Sequence, residues 1–288
     1  MPKGRPRRPA HVGGRGGGRL RTTTPLRYRA DGADTPTDPP TAPPVPAVNN
    51  AFYDTLGDRW FDDDAHAVAL LRVEGVLKTA YVREALDRHR IAEGARVLDV
   101  ACGAGLVSLP LADAGYRVDG VDLAEGALEV ARRRVPGATF RVGDALALDA
   151  DDGAYDAALL LDVLEHVERP DRAIAEAARV VRPGGLVVFN TFNRTALSWL
   201  VAVHGFKAVT REAPRHLHVW RLFIPPETLR GYAGAAGLDV EEVRGMRPRL
   251  DGAFWRSVAR RRVDPGFRFT YTGLQAVGYI GTAVKRGG

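Results

Sequence analysis

The sequence has a single cysteine, Cys102, in 288 residues, so it can form no intramolecular disulfide and no CxxC metal knuckle. That absence suits a reducing compartment, and a cytoplasmic setting is expected. There is no run of 18 apolar residues and no apolar stretch behind Met1, so neither a bilayer-spanning helix nor a secretory signal is expected. The Arg-rich, acid-poor opening has the composition of a transit peptide, but its glycines and prolines oppose the amphipathic helix that such peptides form. Net charge is also lacking over most of the chain. Residues 1–48 hold nine basic and three acidic residues, and the remainder carries 32 of each, so the overall +6 belongs to the first stretch. That stretch has ten of the 19 prolines, seven of the 32 glycines and little to pack, the composition of a disordered basic tail. Its charges lack interleaved aromatics apart from Tyr28, so no specific nucleic-acid partner is expected, only weak, salt-sensitive association.

What is present lies in residues 49–288, long enough for one large α/β domain. Short apolar runs alternate with helical periods, and no fixed-length repeat appears. Two amphipathic helical segments over 50–64 and 66–89 form a cap spanning 50–90. Strands are then expected at 96–101, 116–122, 139–144, 155–162 and 185–191, with helices at 106–114, 124–134 and 171–181 between them. Further along come a lid-like insertion over 195–222, a helix opened by Pro225-Pro226-Glu227, and β-rich segments at 238–246 and 276–285. Two strands joined without a helix of their own predict an antiparallel edge pair on a mostly parallel sheet with helices on both faces.

The first strand runs into Asp99-Val100-Ala101-Cys102-Gly103-Ala104-Gly105. Glycines there allow close approach of backbone to a ligand, and the following helix offers free N–H donors. A dinucleotide fingerprint would need glycine at Ser108, so pyrophosphate binding is not favoured. The second strand ends in Asp122-Leu123, where a carboxylate accepts both hydroxyls of a ribose or, equally well, caps the next helix. The third ends in Asp144-Ala145, at which an acid either meets a nucleobase amine or serves the turn. The glycine turn resembles the first motif of class I S-adenosylmethionine-dependent methyltransferases. Together with acids at three successive strand ends, it implies their Rossmann-like fold with a seven-stranded sheet.

The fourth strand delivers Leu161-Asp162-Val163-Leu164-Glu165-His166. If a helical turn starts at Asp162, that residue, Glu165 and His166 stand at i, i+3 and i+4 and share a face, a donor set suited to Mg²⁺. The other reading places His166 in the wall of the active site without any metal.

Asn50-Ala51-Phe52-Tyr53-Asp54, Trp60-Phe61-Asp62, the glycine turn, Leu164-Glu165-His166-Val167, Thr191-Phe192-Asn193-Arg194 and Phe223-Ile224-Pro225-Pro226-Glu227 fall in an order that resembles the ubiquinone-biosynthesis O-methyltransferases, which act on demethylubiquinol and polyprenyl-hydroxyphenol substrates. The resemblance covers most of residues 50–285. It implies methyl transfer from S-adenosylmethionine to a phenolic or catechol hydroxyl of a prenylated quinone precursor. It places the cofactor on Lys78, Asp99, Ala101, Gly103, Gly105, Asp122, Leu123, Asp144, Ala145 and Leu161, and a Mg²⁺ triad on Asp162, Glu165 and His166. His166 is the candidate general base or, with an ion bound, a ligand to the ion that acidifies the hydroxyl. Ala101 and Ala104 stand where the family usually has glycine, Asp162 stands where it more often has Glu, and the basic tail is not a family feature.

The apolar stretch 197–209 is too short to span a bilayer. It is read either as a lid packed on the protein or as a peripheral membrane contact over 195–210, with Lys207, Arg211, Arg215 and Arg221 nearby to favour an anionic surface. Other functions that the sequence leaves open are an O-methyltransferase of a soluble secondary metabolite and a cofactor-binding or weakly nucleic-acid-associating protein without catalysis.

Overall fold

The computed structural model describes residues 51–212 and 217–287. The basic tail expected over 1–48 lies outside the described residues. Eight strands form one sheet in the order β3-β2-β1-β4-β5-β8-β6-β7. Strands β1 (Arg96–Val100), β2 (Arg117–Asp122), β3 (Thr139–Val142), β4 (Tyr155–Leu161) and β5 (Val181–Phe192) are its parallel half. Strands β6 (Leu238–Pro248), β7 (Phe269–Thr272) and β8 (Gly278–Lys285) are antiparallel. The expected edge pair is present as β6 and β8, and β8 is threaded between β5 and β6. The eighth strand, β7, is an addition to the seven predicted. Its four residues, Phe269-Thr270-Tyr271-Thr272, alternate aromatic and polar positions, but the run is too short to stand out as a strand.

The parallel strands form because their side chains are apolar on both faces, and the faces sort them by parity. Leu98, Val100, Ala158 and Leu160 join one core with helix α6 (Pro170–Val180) and helix α9 (Pro226–Ala235). Val97, Ala157, Leu159 and Leu161 join another, with helix α3 (Val68–Arg88) and helix α4 (Ser108–Asp113). Helix α5 (Glu125–Arg134) packs Leu128 and Ala131 against Cys102 and Phe140 at the end of the sheet. Both α6 and α9 begin on a proline, whose fixed φ suits a first helical turn.

The cap is less regular than the two long helices predicted. Two short helices, α1 (Ala51–Asp54) and α2 (Arg59–Asp62), precede α3. Gly126 N–H at the start of α5 donates to Asp54 Oδ1 at 2.6 Å, which ties α1 over the carboxyl ends of β1 and β2. The lid is one nearly continuous helical run: α7 (Ala196–Ser198), a wide π-helical stretch Trp199–Gly205 and α8 (Phe206–Val209). Helix α10 (Gly252–Arg260) faces α8, started by Asp251 Oδ1, which accepts from the N–H groups of Ala253 and Phe254.

Candidate active site

The strand order reverses between β1 and β4, and a crevice opens outside the carboxyl ends at such a switch point. A cavity of about 310 Å³ occupies it. Nine of the ten expected cofactor residues line it: Lys78, Asp99, Ala101, Gly103, Asp122, Leu123, Asp144, Ala145 and Leu161. Gly105 does not. A Cβ on Gly105, whose φ is +80°, would lie 3.1 Å from Val135 and 3.5 Å from Ala131 and Phe140, so this glycine lets the turn pack on α5 and β3 rather than approach a ligand.

Asp122 is fixed by main chain. Its Oδ2 accepts Gly103 N–H at 2.8 Å and its Oδ1 accepts Ala124 N–H at 2.9 Å. The expected capping role is not met, because Ala124 is the N-cap of α5 and the helix has no side-chain cap; the carboxylate is instead pinned to the two turns it joins, at the cavity's edge. Burial raises its pKa, and the bonds from the Ala124, Gly103 and Leu123 backbone partly offset that. Burial also pushes Asp99 up to about 7, against the pull of the Ser108 hydroxyl, which donates to Asp99 Oδ2 at 2.6 Å.

Sequence reasoning had quoted Tyr53 and Trp60 without giving them a role, and both line the cavity. A Cβ on Gly103 would sit 2.9 Å from the Trp60 ring, so the indole lies directly on the glycine turn. Tyr53 stacks on Trp60, with ring centroids 5.6 Å apart, and meets His166 edge-on at 6.2 Å. The aromatic residues at fixed offsets ahead of α3 were the available signal.

At the inner end of the cavity Lys78 is buried between two carboxylates. Its Nζ pairs with Asp162 and, at 3.3 Å, with Glu74. Burial opposes its charge most strongly, yet Asp162 and Glu74 together raise its pKa. One ammonium shared by two acids leaves Glu74 the less satisfied of them, and burial pushes Glu74 up to about 7. Lys78 therefore orders the wall rather than offering a free cation to a ligand.

The expected triad of Asp162, Glu165 and His166 does not form. Asp162 has a left-handed φ of +57°, so it stands outside the turn Leu164–His166 and the i, i+3, i+4 face is lost. Among the described residues, the ligand atoms within 4.8 Å of one another belong to Glu165, His166 and His218. His218 escaped sequence reasoning because 52 residues separate it from His166; its imidazole packs 5.7 Å from that of His166 among Phe192, Phe206 and Phe223. Its only hint in sequence was a histidine beside aromatic and apolar neighbours. Glu165 Oε2 accepts from the Thr191 hydroxyl at 2.8 Å, while Glu165 Oε1 and His166 Nδ1 are buried without a partner. Burial, then the Asp162 charge, pushes Glu165 up to about 8. Burial pushes His166 down to about 4 and His218 to about 3, so both imidazoles are neutral at pH 7.

A methyltransferase-domain family matches residues 98–189, the span from β1 to β5 that builds the cavity floor. A ubiquinone biosynthesis O-methyltransferase of Azorhizobium caulinodans is 36% identical over 208 residues, covering 68% of this chain and 82% of that protein. Another, of Thiobacillus denitrificans, is 36% identical over 208 residues, covering 70% and 87%. The chain belongs to the ubiquinone biosynthesis O-methyltransferase family. It is an S-adenosylmethionine-dependent O-methyltransferase. Solved structures agree in fold. Magnesium protoporphyrin IX methyltransferase of Synechocystis PCC 6803 with bound S-adenosylmethionine has a TM-score of 0.54 at 20% identity, covering 82% of this chain and 92% of that one. A methyltransferase of Thermotoga maritima has a TM-score of 0.52 at 20% identity, covering 80% and 94%.

Family membership makes the departures informative. Ala101, at a position where the family prefers glycine, is held at φ +60°, a region that costs a non-glycine residue on the order of 1 kcal/mol. Ala104 is fully buried and packs with Leu56, Trp60 and Val68, so its methyl fills the base of the cap and does not obstruct the cavity.

Proposed function

We propose that the acceptor is a phenolic or catechol hydroxyl of a prenylated quinone precursor and that His166 takes its proton. The observation that carries this reading is a half-buried, neutral imidazole in the wall of the first cavity, with the Tyr53 and His218 rings against it. Bound S-adenosylmethionine supplies a methyl group already activated on a sulfonium. The glycine turn, Asp122, Leu123 and Asp144 hold its nucleoside and amino-acid parts, and the Trp60 and Tyr53 rings exclude water above it. What remains for the protein is alignment and proton removal. The acceptor oxygen forms the new O–CH₃ bond, the S–CH₃ bonding pair stays on sulfur, and the phenolic proton passes to His166.

Glu165, His166 and His218, one carboxyl and two imidazoles, are the residues that would hold a divalent ion. The set does not fit Mg²⁺, which takes oxygen ligands, and burial keeps the Glu165 carboxyl protonated at pH 7, so no step is routed through a metal and His166 stays free to take the proton. Peripheral membrane contact is the further part of the reading. Leu197, Trp199 and Leu200 on the lid are 47%, 46% and 56% exposed, and no helix among the described residues is long and apolar enough to cross a membrane. Flotation of the enzyme with anionic liposomes, lost in Trp199→Glu, is the expected result.

The deciding experiment incubates the enzyme with methyl-labelled S-adenosylmethionine and a lipid extract, then identifies the labelled product by mass. A labelled, prenylated O-methyl ether is expected. Faster turnover of water-soluble catechols than of any prenylated one would move the acceptor to soluble metabolites.

A further inference from the structure

A second cavity of about 350 Å³ lies beyond the first, between the lid, α10 and the antiparallel strands. Phe206 and Val209 of the lid, Val258 of α10, and Met246 and Phe269 of the sheet are among its walls. The polar side chains that reach it are Glu74, already paired with Lys78, and His204. Protein interiors are close-packed, and an apolar space of this size is the ordinary volume of a ligand pocket rather than a packing defect.

Its position identifies the occupant. Leu70, Glu74, Phe192 and Phe206 line it and also line a narrow gap whose other walls include Asp162, His166 and His218. These four residues are walls common to the two spaces; the gap itself is only about 20 Å³, too small for a ring, so the acceptor oxygen meets the base from the first cavity, which His166 also lines. Its far side ends at Leu200, which is 56% exposed next to Trp199. No lysine or arginine lines it, so nothing there would receive a carboxylate or a phosphate, and a fatty acid or a diphosphate finds no counter-charge.

We infer that this cavity receives the first isoprenoid units of the acceptor's side chain, with the ring held beside His166 in the first cavity, the chain passing between the shared walls Leu70, Phe192 and Phe206 as they give way, and later units leaving past Leu200. The inference rests on the reading of the acceptor as a prenylated phenol. It makes the lid and α10 a specificity device: the ring is common to many phenols, and the tail selects among them by apolar burial.

The test uses the full chain loaded with S-adenosylmethionine, a farnesylated catechol, its counterpart bearing methyl in place of farnesyl, and farnesol. Val258→Trp fills the cavity from α10, and Ala208→Trp fills it from an exposed position on the lid, where folding is not at stake. The wild type should prefer the farnesylated catechol in kcat/KM by at least about 100-fold. Each variant should cut that preference at least about tenfold, through KM, and weaken farnesol binding by calorimetry to a similar degree. An unchanged preference in both variants overturns the inference, as does an equal loss on both catechols. If the wild type methylates both catechols yet binds no farnesol, the cavity assignment fails and the acceptor reading stands. If it methylates neither but binds farnesol, and Val258→Trp abolishes that binding, the acceptor reading fails and the cavity is an isoprenoid site.

Discussion

The two cavities are built by opposite means. The first is made by main chain: strand ends, a turn with two left-handed glycines, and carboxylates pinned by backbone N–H groups. The second is made by side chains from segments far apart in sequence, which meet only because the lid, α10 and β7 converge. Main chain and pinned carboxylates, roofed by Trp60 and Tyr53, suit the fixed polar atoms of a cofactor, whereas a wall of packed aliphatics and phenylalanines suits a flexible chain and tunes it by volume. In the proposed reading, chemistry happens at His166, which lines the first cavity and the gap beside the second.

His166→Ala acts at that junction and should show the largest effect, a loss in kcat of roughly 100- to 10,000-fold with S-adenosylmethionine affinity retained in calorimetry. Because burial holds its pKa near 4, His166 is already neutral across the working range, and kcat should show no inflection from it between pH 5 and 8. Retained turnover in the alanine variant would separate the chemistry from the junction altogether. Asp122→Ala removes the carboxylate proposed to accept the ribose hydroxyls. It should weaken S-adenosylmethionine binding by about 2–3 kcal/mol, on the order of 100-fold, whereas Val258→Trp leaves that affinity as it is. Equal effects of the two would mean that the cavities are not independent.

A smaller effect concerns pH and the ligand-free enzyme. Folding raises Glu165 from its ordinary value near 4.5 to about 8, so the folded state keeps a proton that the unfolded chain has released. The stability it contributes is full below about pH 4.5 and is lost as pH rises through 8. Glu74 and Asp99, each raised to about 7, act in the same direction. His166 and His218 are depressed and act in the opposite direction, but only below about pH 6.5, where the unfolded chain would protonate them. From pH 6.5 to 8 the melting temperature should therefore fall, and Glu165→Gln should flatten that fall by about 1–2 kcal/mol. The smallest expected change is Ala101→Gly, which relieves a left-handed alanine and should stabilise the fold by about 0.5–1 kcal/mol in denaturant titration. Destabilisation instead would show that the Ala101 methyl packs productively in the turn.

The contrast between the cavities also explains what could be read in advance. Five strands, their alternating helices and nine residues around the cofactor cavity were legible because each depends on local signals: apolar runs, a glycine turn, an acid at a strand end. Asp162 was misjudged because its left-handed backbone is a choice between neighbouring conformations that residue type only biases. Gly105 was assigned to ligand contact when packing against Val135 requires it. His218 and the π-helical lid depend on contacts between segments tens of residues apart, for which one sequence offers no periodicity, and the alternation of β7 spans only four residues.

Strand β8 has a consequence for how the molecule comes to be. It is synthesised after every other strand of the sheet, yet it sits between β5 and β6 and hydrogen-bonds to both. Until it arrives, β6 and β7 have no docking edge on the parallel half, and the walls of the second cavity cannot close. During translation the parallel half should gain protease resistance first, and the antiparallel half should gain it only when Gly278–Lys285 has been added.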